Sequence, residues 1–330
     1  MFNNKSILIT GGTGSFGKNF VRLVLKRFKP KKVIIYSRDE QKQFEMFQEF
    51  KKFESSLRYF IGDVRDHQRL KLAMNGVDYV VHAAAMKHVP AAEYNPQECI
   101  KTNVLGAENV INASIECKVK KVIALSTDKA ANPINLYGAT KLAADKLFIS
   151  ANNLVGKGVT KFSVVRYGNV IGSRGSVLPF FSNLLKNKQK FLPITDKRMT
   201  RFWISLDEGV NFVFQSFRIM LGGEIFVPKI PSIRIIDLAK ALNPKILLKV
   251  VGIRPGEKIH ELLSVKDESR NTYELKNFYF ILPSTLTENK KKLFLKNYKA
   301  KKVKENFEYS SGTNKSFLSI NQIRKIISKS

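Results

Sequence analysis

The chain has 330 residues, 44% of them hydrophobic, and a formal net charge of +30. That length holds one large domain or two smaller ones around a substantial core. No apolar run reaches the ~20 residues of a membrane span, no leader-like segment precedes the first strand, and Cys99 and Cys117 are the only cysteines, so the expected setting is a reducing cytoplasm with no membrane association and no disulfide scaffold.

Residues 5–10, Lys-Ser-Ile-Leu-Ile-Thr, read as a short buried strand that runs directly into Gly11-Gly-Thr13-Gly14-Ser15-Phe16-Gly17. Phe16, Phe20, Val24 and Phe28 then share one helical face. Glycines at 11, 14 and 17 let the backbone turn tightly and approach a pyrophosphate, with N–H groups of the helix start facing the anion. Strand, glycine loop and helix in that order point to a dinucleotide. The second strand, residues 32–36, ends where an acid would hold the ribose hydroxyls of NAD, but the chain reads Ser37-Arg38-Asp39 with Lys42 one turn on. A hydroxyl and two cations suit a 2′-phosphate and favour NADP over NAD. The competing reading leaves Arg38 solvated and puts Asp39 on the ribose of NAD.

A third strand, residues 57–61, closes with Gly62-Asp63-Val64. Asp63 either meets an adenine amino group, with Val64 against the ring, or caps the helix that starts near Asp66. A fourth strand, residues 78–85, runs into Ala83 and Ala84, small enough to let a cofactor lie close, and the loop after it carries Lys87 toward a substrate site. A long helix over residues 96–117 leads to the fifth strand, residues 121–126.

That strand delivers Thr127, Asp128 and Lys129. Asn132-Pro133 breaks the chain, Asn135 caps the next helix, and Tyr137 and Lys141 fall four apart on one face of it. A lysine beside a phenol favours phenolate, which makes Tyr137 a candidate base. In a lysine-rich chain such a pair is common by chance, so its placement decides its meaning. A sixth strand, residues 161–166, is followed by a glycine-rich polar loop through Ser176. Strands alternating with helices imply an α/β fold, a parallel, doubly wound Rossmann sheet with right-handed crossovers. The glycine loop, Asp63, residues 83–87 and residues 126–129 all fall at the carboxyl ends of strands, where such sheets bind ligands.

The expected organisation is a cofactor-binding domain over residues 1–170, revisited at about 203–228, and a smaller, discontinuous substrate domain from 171–202 and 229–330. Arg174, Arg201 and Arg254 are spaced as cations reaching one diphosphate from several loops, or each forms a surface salt bridge. The tail beyond Asn271 reads as a small, partly ordered cap. Lysines are spread beside apolar positions, as on solvated helix faces, and only residues 290–304 are densely basic, so no nucleic-acid partner is expected. The four histidines lack paired ligand spacing, and no metal site is expected.

Thr10-Gly-Gly-x-Gly-x-x-Gly17 together with Tyr137-x-x-x-Lys141 resembles the extended short-chain dehydrogenase/reductase superfamily. More narrowly, residues 126–141, 166–176 and 199–203 resemble the inverting UDP-N-acetylglucosamine 4,6-dehydratases that open pseudaminic acid biosynthesis, and residues 85–90, 254–258 and 308–314 extend the similarity over nearly the whole chain. Thr127-Asp128-Lys129 stands where C5-retaining dehydratases have Thr-Asp-Glu, and Tyr137 stands where larger, membrane-anchored relatives carry Met. The resemblance implies that Tyr137, helped by Lys141, takes the proton of the C4 hydroxyl while Thr127 bonds the C4 oxygen. Lys129, neutral in a desolvated pocket, then removes the C5 proton and Asp128 protonates the departing C6 hydroxyl, or the two exchange parts of these roles. NADP would lie against Gly11, Thr13, Gly14, Ser15, Phe16, Gly17, Ser37, Arg38, Lys42, Asp63, Val64, Ala83, Ala84, Tyr137, Lys141 and Val170. Lys87 and Asn169 would contact the sugar of UDP-N-acetylglucosamine, and Arg174, Arg201 and Arg254 the UDP moiety. A homo-oligomer is expected, as in relatives. The rival readings are a C5-retaining dehydratase, a UDP-sugar 4-epimerase, and a non-catalytic NADP-binding regulator.

Overall fold

Continuous apolar runs mark the first strands because both faces of their sheet are covered by helices. In the computed structural model, which describes residues 1–173 and 175–328, the first half alternates regularly. It comprises β1 (Ser6–Thr10), α1 (Ser15–Arg27), β2 (Lys32–Ser37), α2 (Glu40–Glu49), β3 (Leu57–Ile61), α3 (His67–Met74), β4 (Tyr79–His82), α4 (Val89–Tyr94), α5 (Pro96–Ile100), α6 (Gly106–Glu116), β5 (Lys121–Thr127), α7 (Leu136–Leu154) and β6 (Lys161–Tyr167). These six strands are parallel in the order β3-β2-β1-β4-β5-β6. Strand order reverses between β1, where Ile7 pairs with Val33, and β4, where Tyr79 pairs with the same Ile7. A crevice opens at that switch point, at the carboxyl ends of the strands.

The second half comprises β7 (Asn169–Val170), α8 (Val177–Lys186), β8 (Phe191–Ile194), β9 (Thr200–Ile204), α9 (Leu206–Ile219), β10 (Ile225–Pro228), β11 (Ser232–Arg234), α10 (Ile235–Leu242), β12 (Leu247–Val250), β13 (Leu262–Ser264), β14 (Thr272–Glu274), β15 (Phe278–Ile281), α11 (Glu288–Tyr298), β16 (Lys301–Lys302), β17 (Tyr309–Ser310) and α12 (Ile320–Ile327). The chain returns to the main sheet in α9, which starts at a capping box of Ser205 and Glu208 and sets Phe214 against Phe2 and Phe20. β10 then adds in parallel to β6. A separate small core gathers Phe181, Leu192, Trp203, Ile233, Leu238 and Ile323.

Two elements differ from expectation. β15, β14 and β16 extend the main sheet antiparallel beyond β10, so residues 272–302 belong to its edge and not to the smaller unit or to a partly ordered cap. Phe278-Tyr-Phe-Ile281 is buried on both faces, which needs cover on each side, and α11 supplies one side through Phe294 and Tyr298. The helix expected over residues 96–117 is interrupted by a π-helical turn at Lys101–Leu105, whose extra residue turns Asn103 inward. Among the described residues, no helix is long and apolar enough to cross a membrane.

Candidate active site

The glycine loop is shaped by close approach. Gly11 has φ +64°, and a Cβ there would lie 2.9 Å from the Ala84 nitrogen, filling the crevice between β1 and β4. A Cβ at Gly17 would lie 2.3 Å from the Gly12 oxygen, so α1 starts directly over the loop. Thr10 Oγ1 accepts the N–H groups of Ala83 (3.1 Å) and Ala84 (3.2 Å), which leaves its proton to donate to Nδ1 of buried His82 (2.9 Å). Thr13 and Ser37 join their hydroxyls at 2.8 Å across the loop.

At the adenosine end, Asp39 caps α2 by accepting the Lys42 N–H at 2.9 Å, and its other oxygen pairs with the Lys42 ammonium. Asp63 does not cap a helix. It accepts the Arg65 backbone N–H (2.9 Å) and guanidinium (2.7 Å), with Arg38 3.4 Å away, while Asp66 caps α3. Burial pushes the Asp63 carboxyl upward, but the bonds and charge of Arg65, with Arg38 behind, hold it below the usual carboxylate range.

At the other end of the cleft, β5 delivers Thr127 and a short turn presents Asp128 and Lys129. Thr127 Oγ1 donates to Asp128 Oδ1 (2.9 Å) and lies beside the Tyr137 hydroxyl, whose pKa it helps draw down. The Lys129 ammonium bridges two buried carboxylates, Asp128 Oδ1 at 3.0 Å and Glu261 Oε1 at 3.3 Å. The expectation of a neutral Lys129 is therefore corrected. Burial favours the free amine, but the two carboxylates hold its pKa above the ordinary lysine value. The Asp128 pKa is raised as well, for a different reason: burial, aided by Glu261, pushes its carboxyl upward despite Lys129. Glu261 resists its own burial because Lys129 and Arg201 hold it low.

Burial pushes the Tyr137 phenol up to about 12, and the cation that draws it down is Lys129 rather than Lys141. Lys141 is buried and its pKa lowered by desolvation, opposed by Asp145. Asp145 accepts from Ser126 (2.8 Å) and stands 3.4 Å from fully buried Arg166, whose other partner is Glu268 at 3.0 Å. Helical spacing brought Tyr137 and Lys141 to one face, yet a chain of buried ions sets the charge on the lysine.

One cleft of about 750 Å³ is lined by the glycine loop, Ser37, Arg38, Lys42, Asp63, Val64, Ala83, Ala84, Lys87, residues 126–129, Tyr137, Lys141, Asn169 and Val170. The cofactor, catalytic and sugar-contact residues expected from sequence thus face a single space. A larger cavity, about 1130 Å³, lies between α7, residues 283–287 and α11, and holds none of those residues. The arginines are the exception. Buried Arg201 donates to the carbonyls of Thr200 (2.7 Å) and Ile259 (3.1 Å) and does not line the cleft. Arg254 lies exposed on the loop between β12 and β13, also outside the lining, and Arg174 lies outside the described residues.

Three buried residues were not expected at the site. Asn103 accepts the Met86 N–H (2.8 Å) and donates to the Met86 carbonyl (3.0 Å) and to Thr140 (3.0 Å), fixing the loop after β4 against α7. Its only sequence signal is an amide within a helix that should be apolar on that side. Arg166 is the penultimate residue of β6, a cation in an otherwise apolar strand end, and Glu261 sits in a stretch without periodicity.

Residues 7–283 match the family model described as polysaccharide biosynthesis protein. The chain belongs to this polysaccharide biosynthesis protein family. It is 59% identical over 330 residues to the UDP-N-acetylglucosamine 4,6-dehydratase (inverting) of Campylobacter jejuni, covering 99% of this chain and 98% of that one. It is also 42% identical over 338 residues to the UDP-glucose 4-epimerase of Rickettsia conorii, at 99% and 96% coverage. Among solved structures, Pen from Bacillus thuringiensis matches with a TM-score of 0.89 at 40% identity, over 100% of this chain and 99% of that one. The dTDP-glucose 4,6-dehydratase DesIV from Streptomyces venezuelae, with NAD and TYD bound, shares the fold at a TM-score of 0.68 and 22% identity, over 77% and 86%.

Proposed function

We propose that the protein is an inverting UDP-N-acetylglucosamine 4,6-dehydratase, a hydro-lyase making UDP-2-acetamido-2,6-dideoxy-β-L-arabino-hexos-4-ulose as the first step of pseudaminic acid biosynthesis. It would act in the cytoplasm as a homo-oligomer. The observation that carries the reading is Asp128 and Lys129 beside Tyr137 at one end of the cleft. Oxidation at C4 needs only a base such as Tyr137, whereas elimination also needs an acid at the C6 hydroxyl and a base at C5. The 59% identity to the Campylobacter jejuni enzyme supports the same reaction.

The glycine cradle fits a dinucleotide, since a Cβ at Gly11 or Gly17 would collide with the backbone of Ala84 or Gly12, and only glycine lets the loop turn this tightly under the start of α1. The reading favours NADP over NAD, because Ser37, Arg38 and Lys42 line the adenosine end and Asp39 is engaged by Lys42 and the start of α2. A nicotinamide dinucleotide held by the glycine loop and by Ser37, Arg38 and Lys42 would supply reversible hydride acceptance between C4 and C6 and would be regenerated in every turnover. Tyr137 takes the proton of the C4 hydroxyl, with Thr127 beside the phenol. Asp128, whose carboxyl burial pushes upward, is the acid placed to protonate the departing C6 hydroxyl. Lys129 takes the C5 proton once it has released its own. Lys87 and Asn169, on the cleft wall, contact the sugar.

The 42% identity to a protein named as a 4-epimerase makes 4-epimerisation the second reading. Incubation with UDP-N-acetylglucosamine in deuterated water, followed by NMR, separates the two. The expected product is a 4-keto-6-deoxy sugar with deuterium at C5 and inverted C5 configuration. Retained C5 configuration would mark the retaining dehydratase, and a product with neither water loss nor C5 deuterium would mark the epimerase.

A further inference from the structure

A lysine that must act as a base is held as an ammonium ion between two carboxyl groups, the Glu261 carboxylate and Asp128, whose carboxyl burial pushes upward, and only Asp128 reaches the cleft. Asp128 and Lys129 line it, whereas Glu261 lies behind Lys129 and does not. Glu261 Oε1 is 3.3 Å from Lys129 Nζ and 3.8 Å from Arg201 Nε, and its Oε2 is buried without a hydrogen-bond partner. The residue is pinned from the tail: its N–H donates to Ser311 Oγ (2.9 Å), and the Ser311 N–H donates to its carbonyl (2.8 Å). Ser311 is in turn held 2.8 Å from Thr200 Oγ1, beside Arg201 on β9. The charged groups that surround Glu261 are Lys129, Arg201 and Lys258, with Asp128 across Lys129.

We infer that Glu261 is a positioning residue that completes the elimination machinery by taking the proton of Lys129 and later returning it. This rests on the dehydratase reading above. In the first step an Nζ–H bond of Lys129 breaks and the proton moves transiently to Glu261 Oε1, against the resting preference for ammonium ion and carboxylate, and the freed electron pair on Nζ faces the cleft. Lys129 then takes the C5 proton while Asp128 gives its own to the C6 oxygen, and water leaves. Asp128 is now a carboxylate, Lys129 an ammonium ion and Glu261 a carboxylic acid. Lys129 passes a proton to Asp128 over 3.0 Å and recovers one from Glu261 over 3.3 Å, which restores the starting charges. The proton removed from C5 is recycled onto the acid that expels the hydroxyl. Without Glu261, Asp128 alone would have to serve as acid to the substrate and as proton acceptor for Lys129.

Glu261→Gln keeps the shape and removes the acceptor. Its kcat should fall at least about 100-fold, with KM within about threefold and a larger kinetic isotope effect from deuterium at C5, because proton abstraction becomes limiting. Glu261→Asp retains a withdrawn carboxylate and should turn over at least about tenfold faster than the Gln variant. A Gln variant within about threefold of wild-type kcat, or Gln and Asp variants equally slow, overturns the inference. If the Gln variant does not fold, the Asp variant decides: a raised C5 isotope effect supports the relay, and an unchanged one sinks it. Wild-type enzyme run alongside keeps the two ideas apart, since failure to form the 4-keto-6-deoxy product counts against the dehydratase reading, not against Glu261.

Discussion

Single residues at this site owe their chemistry to the charged and polar neighbours packed around them. Tyr137 and Lys141 were brought together by helical spacing, yet Lys129 tunes the phenol and Asp145 tunes Lys141. His82 shows the same dependence in a form that can be titrated. Thr10 donates to its Nδ1, so a proton added there would set two donors face to face. Burial, with Lys141 adding to it, pushes the His82 pKa from 6.5 down to about 3. Between those values the unfolded chain binds a proton that the native state refuses. The native state therefore keeps its full advantage above pH 6.5 and loses it as pH falls toward 3. The loss runs at up to about 1.4 kcal/mol per pH unit. Unfolding free energies measured in urea should therefore decline more steeply from about pH 7 to about pH 5 for the wild type than for His82→Gln. Parallel slopes would mean that the native state accepts the proton. The histidine's position was readable in the sequence, but its neutrality was not, because Thr10 and Lys141 come from other elements.

Elements were legible where their signal is local. β1 to β6 are apolar runs closed by glycine or polar residues, and parallel burial makes such runs stand out. β14 to β16 were not, because Phe278-Tyr-Phe-Ile281 becomes a strand through pairing with β10, which no local pattern announces. The π-helical turn at Lys101–Leu105 was hidden for a similar reason: its purpose is to aim Asn103 at the backbone of Met86. Asn103→Ala should strand both Met86 groups and the Thr140 contact, lowering stability by about 1–3 kcal/mol in urea unfolding. The Met86 amide should exchange its hydrogen faster in the same variant, since the loop after β4 loses its tie to α6 and α7. A loss under about 0.5 kcal/mol, the range of ordinary surface changes, would show that the turn is held by something else.

At the scale of the whole molecule the distinctive quantity is the net charge of +30, which no element explains by itself. The cleft keeps a cationic excess: Arg38, Lys42, Lys87, Lys129 and Lys141 line it against Asp39, Asp63 and Asp128, and Arg254 stands exposed on the loop between β12 and β13. A nucleotide-sugar carries two phosphate charges, so a cationic field around the cleft raises its local concentration before any contact forms. Salt removes that help, because the screening length shrinks from about 30 Å at 0.01 M to about 10 Å at 0.1 M. Chemistry at Lys129, between buried Asp128 and Glu261, is screened much less. The expected outcome is a fall in kcat/KM of about three- to tenfold over that salt range with kcat nearly constant. Replacing chloride by acetate at equal ionic strength should leave the curve unchanged, which distinguishes screening from anion binding in the cleft. A flat kcat/KM would assign the lysines to solvation alone, and a falling kcat would place the salt-sensitive charges at the reacting atoms.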